Sequence, residues 1–128
     1  MSVTIAETVN KVAKMMTRYR VVVCGRGIFV EAGDRGDSFS GFVVCRFVKA
    51  DSEAEAVALV RRNLLVEWNS SFNQSRSAGV PRLTIELSAP VNSPFKKAES
   101  SGSYRFFTSE DEVSAHLESA ILASSGWF

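Results

Sequence analysis

The chain has 128 residues, 45% of them hydrophobic and 23% charged, values close to globular averages that exclude a disordered, collagen-like or coiled-coil chain. Fifteen Lys+Arg against fourteen Asp+Glu leave a net charge of +1, so overall charge points to neither nucleic acid nor an anionic membrane as partner. A domain of this length buries roughly two-thirds of its unfolded surface, enough for a core without metal or disulfide staples.

In chain order, residues 1–17 read as an N-terminal helical extension. Thr4-Ile5-Ala6-Glu7 fits a capping box, in which the hydroxyl accepts from an early helical amide and the carboxylate reaches back to the cap. Behind it Ile5, Val9, Val12, Ala13 and Met16 form an apolar stripe that is expected to pack on the domain or on a dimer mate. Residues 19–32 are β-branched and aromatic, and Gly25-Arg26-Gly27 predicts a bulge or bend within one long strand. Gly33-Asp34-Arg35-Gly36-Asp37 is turn chemistry. Residues 41–50 form the next strand, with Phe42, Val44 and Val48 on one face and Val43, Cys45 and Phe47 on the other. Apolarity on both faces marks a central strand, or one covered by a partner subunit.

Ser52-Glu53-Ala54-Glu55 opens a second helix, whose predicted stripe is Ala54, Val57, Ala58, Leu64, Leu65 and Trp68, interrupted by Arg61 and Arg62. Residues 81–87 alternate, with Leu83, Ile85 and Leu87 inward and Arg82, Thr84 and Glu86 outward. Residues 104–108 form a last short strand. Ser109-Glu110-Asp111-Glu112 then caps a third helix with Val113, Leu117, Ala120 and Ile121 on its apolar side and Gly126 to stop it. Residues 69–79 and 92–103 are polar, Ser-rich loops. This order predicts a single α+β domain over 1–128, a two-layer sandwich in which helices pack on one face of an antiparallel sheet of three to five strands. Residues 109–128 supply the C-terminal helix and an aromatic tail.

The stretches YRVVVCGRGIFVEAG, GFVVCRFVKADSEAEAVALVRRN, PRLTIEL and SYRFFTSEDE resemble a family of small, functionally uncharacterised bacterial proteins. The resemblance spans residues 19–111, about three-quarters of the chain. Phe106-Phe107-Thr108 stands where the family carries Phe-Tyr-Pro, and the N-terminal helix and the Gly126-Trp127-Phe128 ending depart from its pattern. The resemblance implies the fold and no activity.

The chemistry-bearing residues each have a structural reading beside the functional one. His116 could share a helix face with Glu112, but one imidazole and one carboxylate do not make a metal site, and neither cysteine has a CxxC partner. No metal or cofactor is expected. Cys24 and Cys45 lie in apolar strand runs, where burial raises a thiol pKa and leaves it inert. The hairpin register expected from a turn near Gly36 places Cys24 near Val48 and Cys45 near Gly27, which argues against a disulfide. Together with the absence of a signal-like or membrane-spanning apolar run, this predicts a cytoplasmic protein. Gly25-Arg26-Gly27 lacks the third glycine and the helix of a dinucleotide loop. Gly41-Phe42-Val43 lacks the flanking aromatics and basic residue of an RNA-recognition strand.

Ten of the fifteen basic residues are arginines, and Arg20, Arg26, Arg46 and Arg105 fall within apolar strands. The expected register sets Arg26 against Arg46. Two like charges there would call for a carboxylate or an external anion between them. The structural reading is pairing with Glu31 or Glu86, or projection into solvent at the bulge. Trp127 and Phe128 need a docking place, either on their own domain or as an aromatic anchor in a neighbouring subunit. The sequence therefore predicts a non-enzymatic, self-associating interaction module, a homodimer. The alternative is a domain that binds an anionic small molecule, or an acidic protein partner, through Arg26 and Arg46.

Overall fold

β-Branched and aromatic residues fill Thr17–Glu31 and Ser38–Ala50, and the two segments form long antiparallel strands, β1 and β2. The computed structural model describes residues 16–31, 38–74, 77–91 and 103–125. The N-terminal stripe as far as Ala13, the turn at 33–37 and the Gly126-Trp127-Phe128 ending lie outside them. β3 (Arg82–Pro90) pairs with the free side of β1, and β4 (Arg105–Phe107) with the free side of β2. The result is a four-stranded antiparallel sheet in the order β3-β1-β2-β4. This is a small α+β fold with the expected kind of sheet.

The strand register differs from the expected one. Val22 stands beside Cys45, Cys24 beside Val43, Val21 beside Arg46, and Arg26 beside Gly41. Beyond Arg26 the register slips, and Val30 meets Phe39. The slip marks the predicted bulge, where Gly27 has φ 82°, a left-handed conformation that a side chain disfavours. The rest of the difference is already present at the closing pair Glu31–Ser38, which is not centred on Gly36. The bulge consumes extra residues on β1 and moves every pairing beyond it.

Alternation along the strands sorts the core into two layers. Val21, Val23, Phe42 and Val44 lie on one face with Val60, Leu64 and Trp68 of helix α1 (Glu53–Ser71). Val22, Cys24, Val43, Cys45 and Phe107 lie on the other with Val113 and Ala120 of helix α2 (Val113–Ser125). The helices thus cover opposite faces of the sheet, rather than sharing one face as expected. A strand that is apolar on both sides needs two covers, and here both come from the same chain.

Two details of the helices and of β3 follow from this packing. The Ser52 hydroxyl accepts from the Glu55 amide at 3.1 Å, as the capping box requires. The buried residues of α1 are Ala56, Val60, Leu64 and Trp68, a four-residue row, while Ala54 and Ala58 of the predicted stripe are exposed. In β3 a register shift opposite Val22 and Val23 leaves Leu83 and Ile85 on the α1 face but sends Leu87 to the α2 face. One extra residue reverses the alternation beyond it.

Two glycines make the β1–β2 pair possible. A Cβ on Gly25 would run into the Phe42 ring, and one on Gly41 would meet the Phe107 ring and the Gly25 carbonyl. The Gly25-Arg26-Gly27 and Gly41-Phe42 sequences thus serve close approach.

Trp68 is fully buried, and its indole N–H donates to the Gly79 carbonyl at 2.7 Å. Trp68→Ala is expected to lower stability by about 3–5 kcal/mol in denaturant unfolding. Val66, on the same helix but 64% exposed, should change stability by less than about 0.5 kcal/mol when replaced by Ala.

Candidate functional site

The loop after α1 helps to build a cleft. Asn73, 1% exposed, holds it from inside: its Oδ1 accepts from the Ala78 amide at 2.9 Å, and its Nδ2 donates to Asn69 Oδ1 at 3.2 Å. The Ala78 carbonyl in turn accepts from the Phe29 amide at 2.8 Å, so residues 78–80 lie along the end of β1. Between these segments is a cleft of about 360 Å³ lined by Phe29, Val30, Glu31, Phe72, Ser77 and Ala78. Its volume is at the small end of ligand pockets. Phe29 is 57% exposed at its rim, and Val80, just beyond, is 60% exposed.

Phe72 connects this cleft to a chain of rings under α1. It stacks on Trp68 at 4.9 Å and meets Tyr104 edge-on at 5.2 Å. Trp68 stacks on Phe42 at 5.4 Å, and Phe106 stacks on Phe39 at 5.0 Å. Phe42, 1% exposed, is therefore a core residue with no face for a nucleobase. The Tyr104 hydroxyl donates to Glu67 Oε1 at 2.6 Å, and Arg46 Nη2 donates to the same oxygen at 2.8 Å. The Arg46 guanidinium also sits 5.4 Å from the Tyr104 ring centre, within cation–π reach. Burial, reinforced by the bond to Glu67, pushes the Tyr104 hydroxyl far above its ordinary value of 10.0. Tyr104 thus remains a neutral donor, and the group ties β4 to β2 and α1.

Arg26 lies on the other face. Its Nε donates to Glu110 Oε2 at 2.8 Å and its Nη2 to Oε1 at 3.1 Å, a fork-on-fork pair. The hydrogen bond from Arg26 lowers the Glu110 pKa, and the same bond raises that of Arg26. The structure does not bring Arg26 and Arg46 together. Their register partners are Gly41 and Val21, they sit on opposite faces of the sheet, and each has its own carboxylate. The paired-arginine anion site is not formed, and the cleft presents Glu31, a charge unsuited to an anion.

Cys24 and Cys45 are both buried and free, on the same face of adjacent strands but not directly opposite. Burial is the main cause that raises the Cys24 pKa, with the cation of Arg26 opposing it. His116 is half-buried on α2. Among the described residues no three His, Cys, Asp or Glu side chains are grouped to hold a metal ion. No helix among them is long and apolar enough to cross a membrane. Trp127 and Phe128 lie outside the described residues.

The sequence reading missed Glu67, Glu110 and Tyr104, the partners of the two arginines. Glu110 was visible only as a capping residue, and Glu67 only as the neighbour of Trp68. Their roles depend on a register that residue patterns alone do not give. Compared with family models, curated proteins and solved structures, the chain matches none.

Two variants probe these anchors. Asn73→Ala leaves the buried Ala78 amide without its acceptor, and should cost about 1–3 kcal/mol while loosening the cleft wall. Glu112 is held ionised below its ordinary value of 4.5, chiefly by the Thr108 amide at 2.6 Å and further by the Ser109 amide. A depressed carboxylate stabilises the fold above its unfolded value, and that contribution disappears as pH falls through the lowered native value. Glu112→Gln should therefore melt below the wild type near neutral pH. The gap should close as the solution is acidified below 4.5, as thermal melts across an acid series would record.

Proposed function

We propose that this chain is a non-enzymatic interaction module of the cytoplasm that associates with a second copy of itself. The observation that carries the reading is the exposed apolar ground beside the cleft: Phe29 at 57%, Val80 at 60% and Phe72 at 37% exposure. These side chains come from β1, from the loop that enters β3 and from the end of α1, and apolar residues gathered in this way mark association surfaces. Elsewhere the apolar strands are covered by the chain's own helices, and the strand arginines Arg26 and Arg46 meet carboxylates. The exposed apolar residues at this end have no such cover among the described residues. Two buried thiols without a disulfide agree with a reducing compartment.

The reading is tested by sedimentation equilibrium at micromolar concentration. The expected species has twice the 14.0 kDa chain mass, and Val80→Asp should weaken the association about tenfold, the equivalent of roughly 1.4 kcal/mol of lost burial. A wild-type protein that sediments as a monomer throughout would overturn the reading.

A further inference from the structure

Val80 and Pro81 lead into β3, which is a nine-residue strand at the end of the sheet. β1 occupies one side of β3, and among the described residues no strand lies on the other. An edge of this length is a template for another strand unless its side chains oppose the pairing. Here the side chains favour one partner in one register.

Arg82 and Thr84 alternate with Leu83 and Ile85 along β3, Glu86 is the extra residue at the register shift, and all three polar side chains are exposed. Arg82 and Thr84 stand beside Arg26 and Cys24 of β1, and the Glu86 charge is felt at both Cys24 and Arg26. All three therefore project from the α2 face. Leu83 and Ile85, half-buried, project from the α1 face and pack against its core. Suppose a second copy of β3 runs antiparallel alongside the first, with the two-fold axis at Thr84. Arg82 then lies opposite Glu86 of the second copy, and Glu86 opposite Arg82 of the second copy. On the other face Leu83 meets Ile85 and Ile85 meets Leu83. Over residues 82–86 the cross-strand pairs are complementary, with opposite charges on one face and branched aliphatic side chains on the other. A sequence is self-complementary in this manner only about a two-fold axis, which is what an isologous dimer requires.

We infer that the chain dimerises by antiparallel pairing of β3 with β3 of a second copy, through reciprocal Arg82–Glu86 pairs that flank a two-fold axis at Thr84. The inference rests on the self-association proposed above and names the surface that mediates it. Pairing also relieves a local conflict. Arg82 stands beside Arg26 in the sheet, two like charges on adjacent strands, and Arg26 already has Glu110. Among the described residues no carboxylate pairs with Arg82, and Glu86 of the second copy provides one. Arg61 reaches from α1 to the Leu83 carbonyl at 3.0 Å. It is an exposed, flexible side chain that an incoming strand can displace.

Charge reversal tests the register. Arg82→Glu and Glu86→Arg each turn both attractive pairs into repulsive ones, and should weaken the dimer at least about tenfold in sedimentation equilibrium. Both positions are exposed, so the far-ultraviolet circular dichroism of each variant should match the wild type. An equimolar mixture of the two variants should recover association, because the carboxylate introduced at position 82 of one then faces the guanidinium introduced at position 86 of the other. The double reversal in one chain should recover it as well. If the wild type dimerises and the single reversals leave its dissociation constant unchanged, another surface holds the dimer. The β3 pairing then fails while the self-association reading stands. If the single variants weaken the dimer but neither the mixture nor the double reversal restores it, the Arg82–Glu86 register is overturned. A wild type that stays monomeric overturns the self-association reading and this inference with it.

Discussion

The pairing of β1 with β2 is the constraint from which the rest of the molecule follows. Setting Val22 beside Cys45 and Val23 beside Val44 fixes which apolar side chains share a face. Neither face can be left to solvent, because Val21, Val22, Val23, Cys24, Val43 and Val44 are all fully buried. A sheet whose centre is apolar on both sides must have a cover on each. The chain meets that requirement with a helix after β2 and another after β4, and these settle on opposite sides. The glycines belong to the same constraint: Gly25 and Gly41 let the rings of Phe42 and Phe107 lie across the strands. The pairing thus determines where large aromatic residues fit, and the aromatic chain from Phe39 to Phe72 grows out from Phe42.

The strand arginines illustrate how this pairing disposes of charge. An arginine within an apolar strand is tolerable when its guanidinium finds a carboxylate and its stem lies along the neighbouring chain. Arg46, on the α1 face, finds Glu67 one residue before Trp68; Arg26, on the α2 face, finds Glu110 in the turn that opens α2. Each ion pair therefore links the sheet to the helix on its own side. The Arg26–Glu110 pair, with side chains 30% and 66% exposed, is screened by water and salt and adds orientation more than stability. Arg46 is more enclosed, with a side chain 13% exposed, and is reinforced by the Tyr104 ring and hydroxyl. This explains how a strand as short as β4 is held in place.

What could be read from the sequence was the part decided locally. The caps at Ser52 and Ser109 need only residues three apart, and both capping interactions are present. The Gly25-Gly27 irregularity was legible because glycine has few other uses inside a strand. Register was not legible. The bulge displaces β1 against β2, and nothing in the residue pattern says by how much. The bulge and a turn not centred on Gly36 together separated Arg26 from Arg46. The α1 stripe was ambiguous for a different reason: Ala, Val and Leu occur on several sides of that helix, and only contact with the sheet selects Ala56, Val60, Leu64 and Trp68. The aromatic cluster joins residues from β2, α1 and the 104–106 segment, and no local pattern connects them. Exposure of Phe29 was equally hidden, since an apolar residue in a strand gives no sign of which side lacks a cover.

The two ends of the sheet differ in a way that bears on assembly. β4 has three residues and is anchored at once by the buried Phe107 and by the Ser109–Glu112 cap. It is too short to serve as a template for a further strand. β3 is three times as long and is bounded by Pro81 and Pro90. Proline has no amide hydrogen to donate, so the two prolines limit the length over which another strand can be bonded. Residues 82–86, the first part of this bounded edge, are self-complementary about Thr84, so under the proposed pairing they would admit one copy in one orientation. The proposed contact is isologous and would use the same surface on both molecules. Two four-stranded sheets joined in this way would form one sheet of eight, ending on both sides in β4. Under the proposed pairing growth would stop at the dimer, because residues 82–86 of both copies would be occupied when the pair forms.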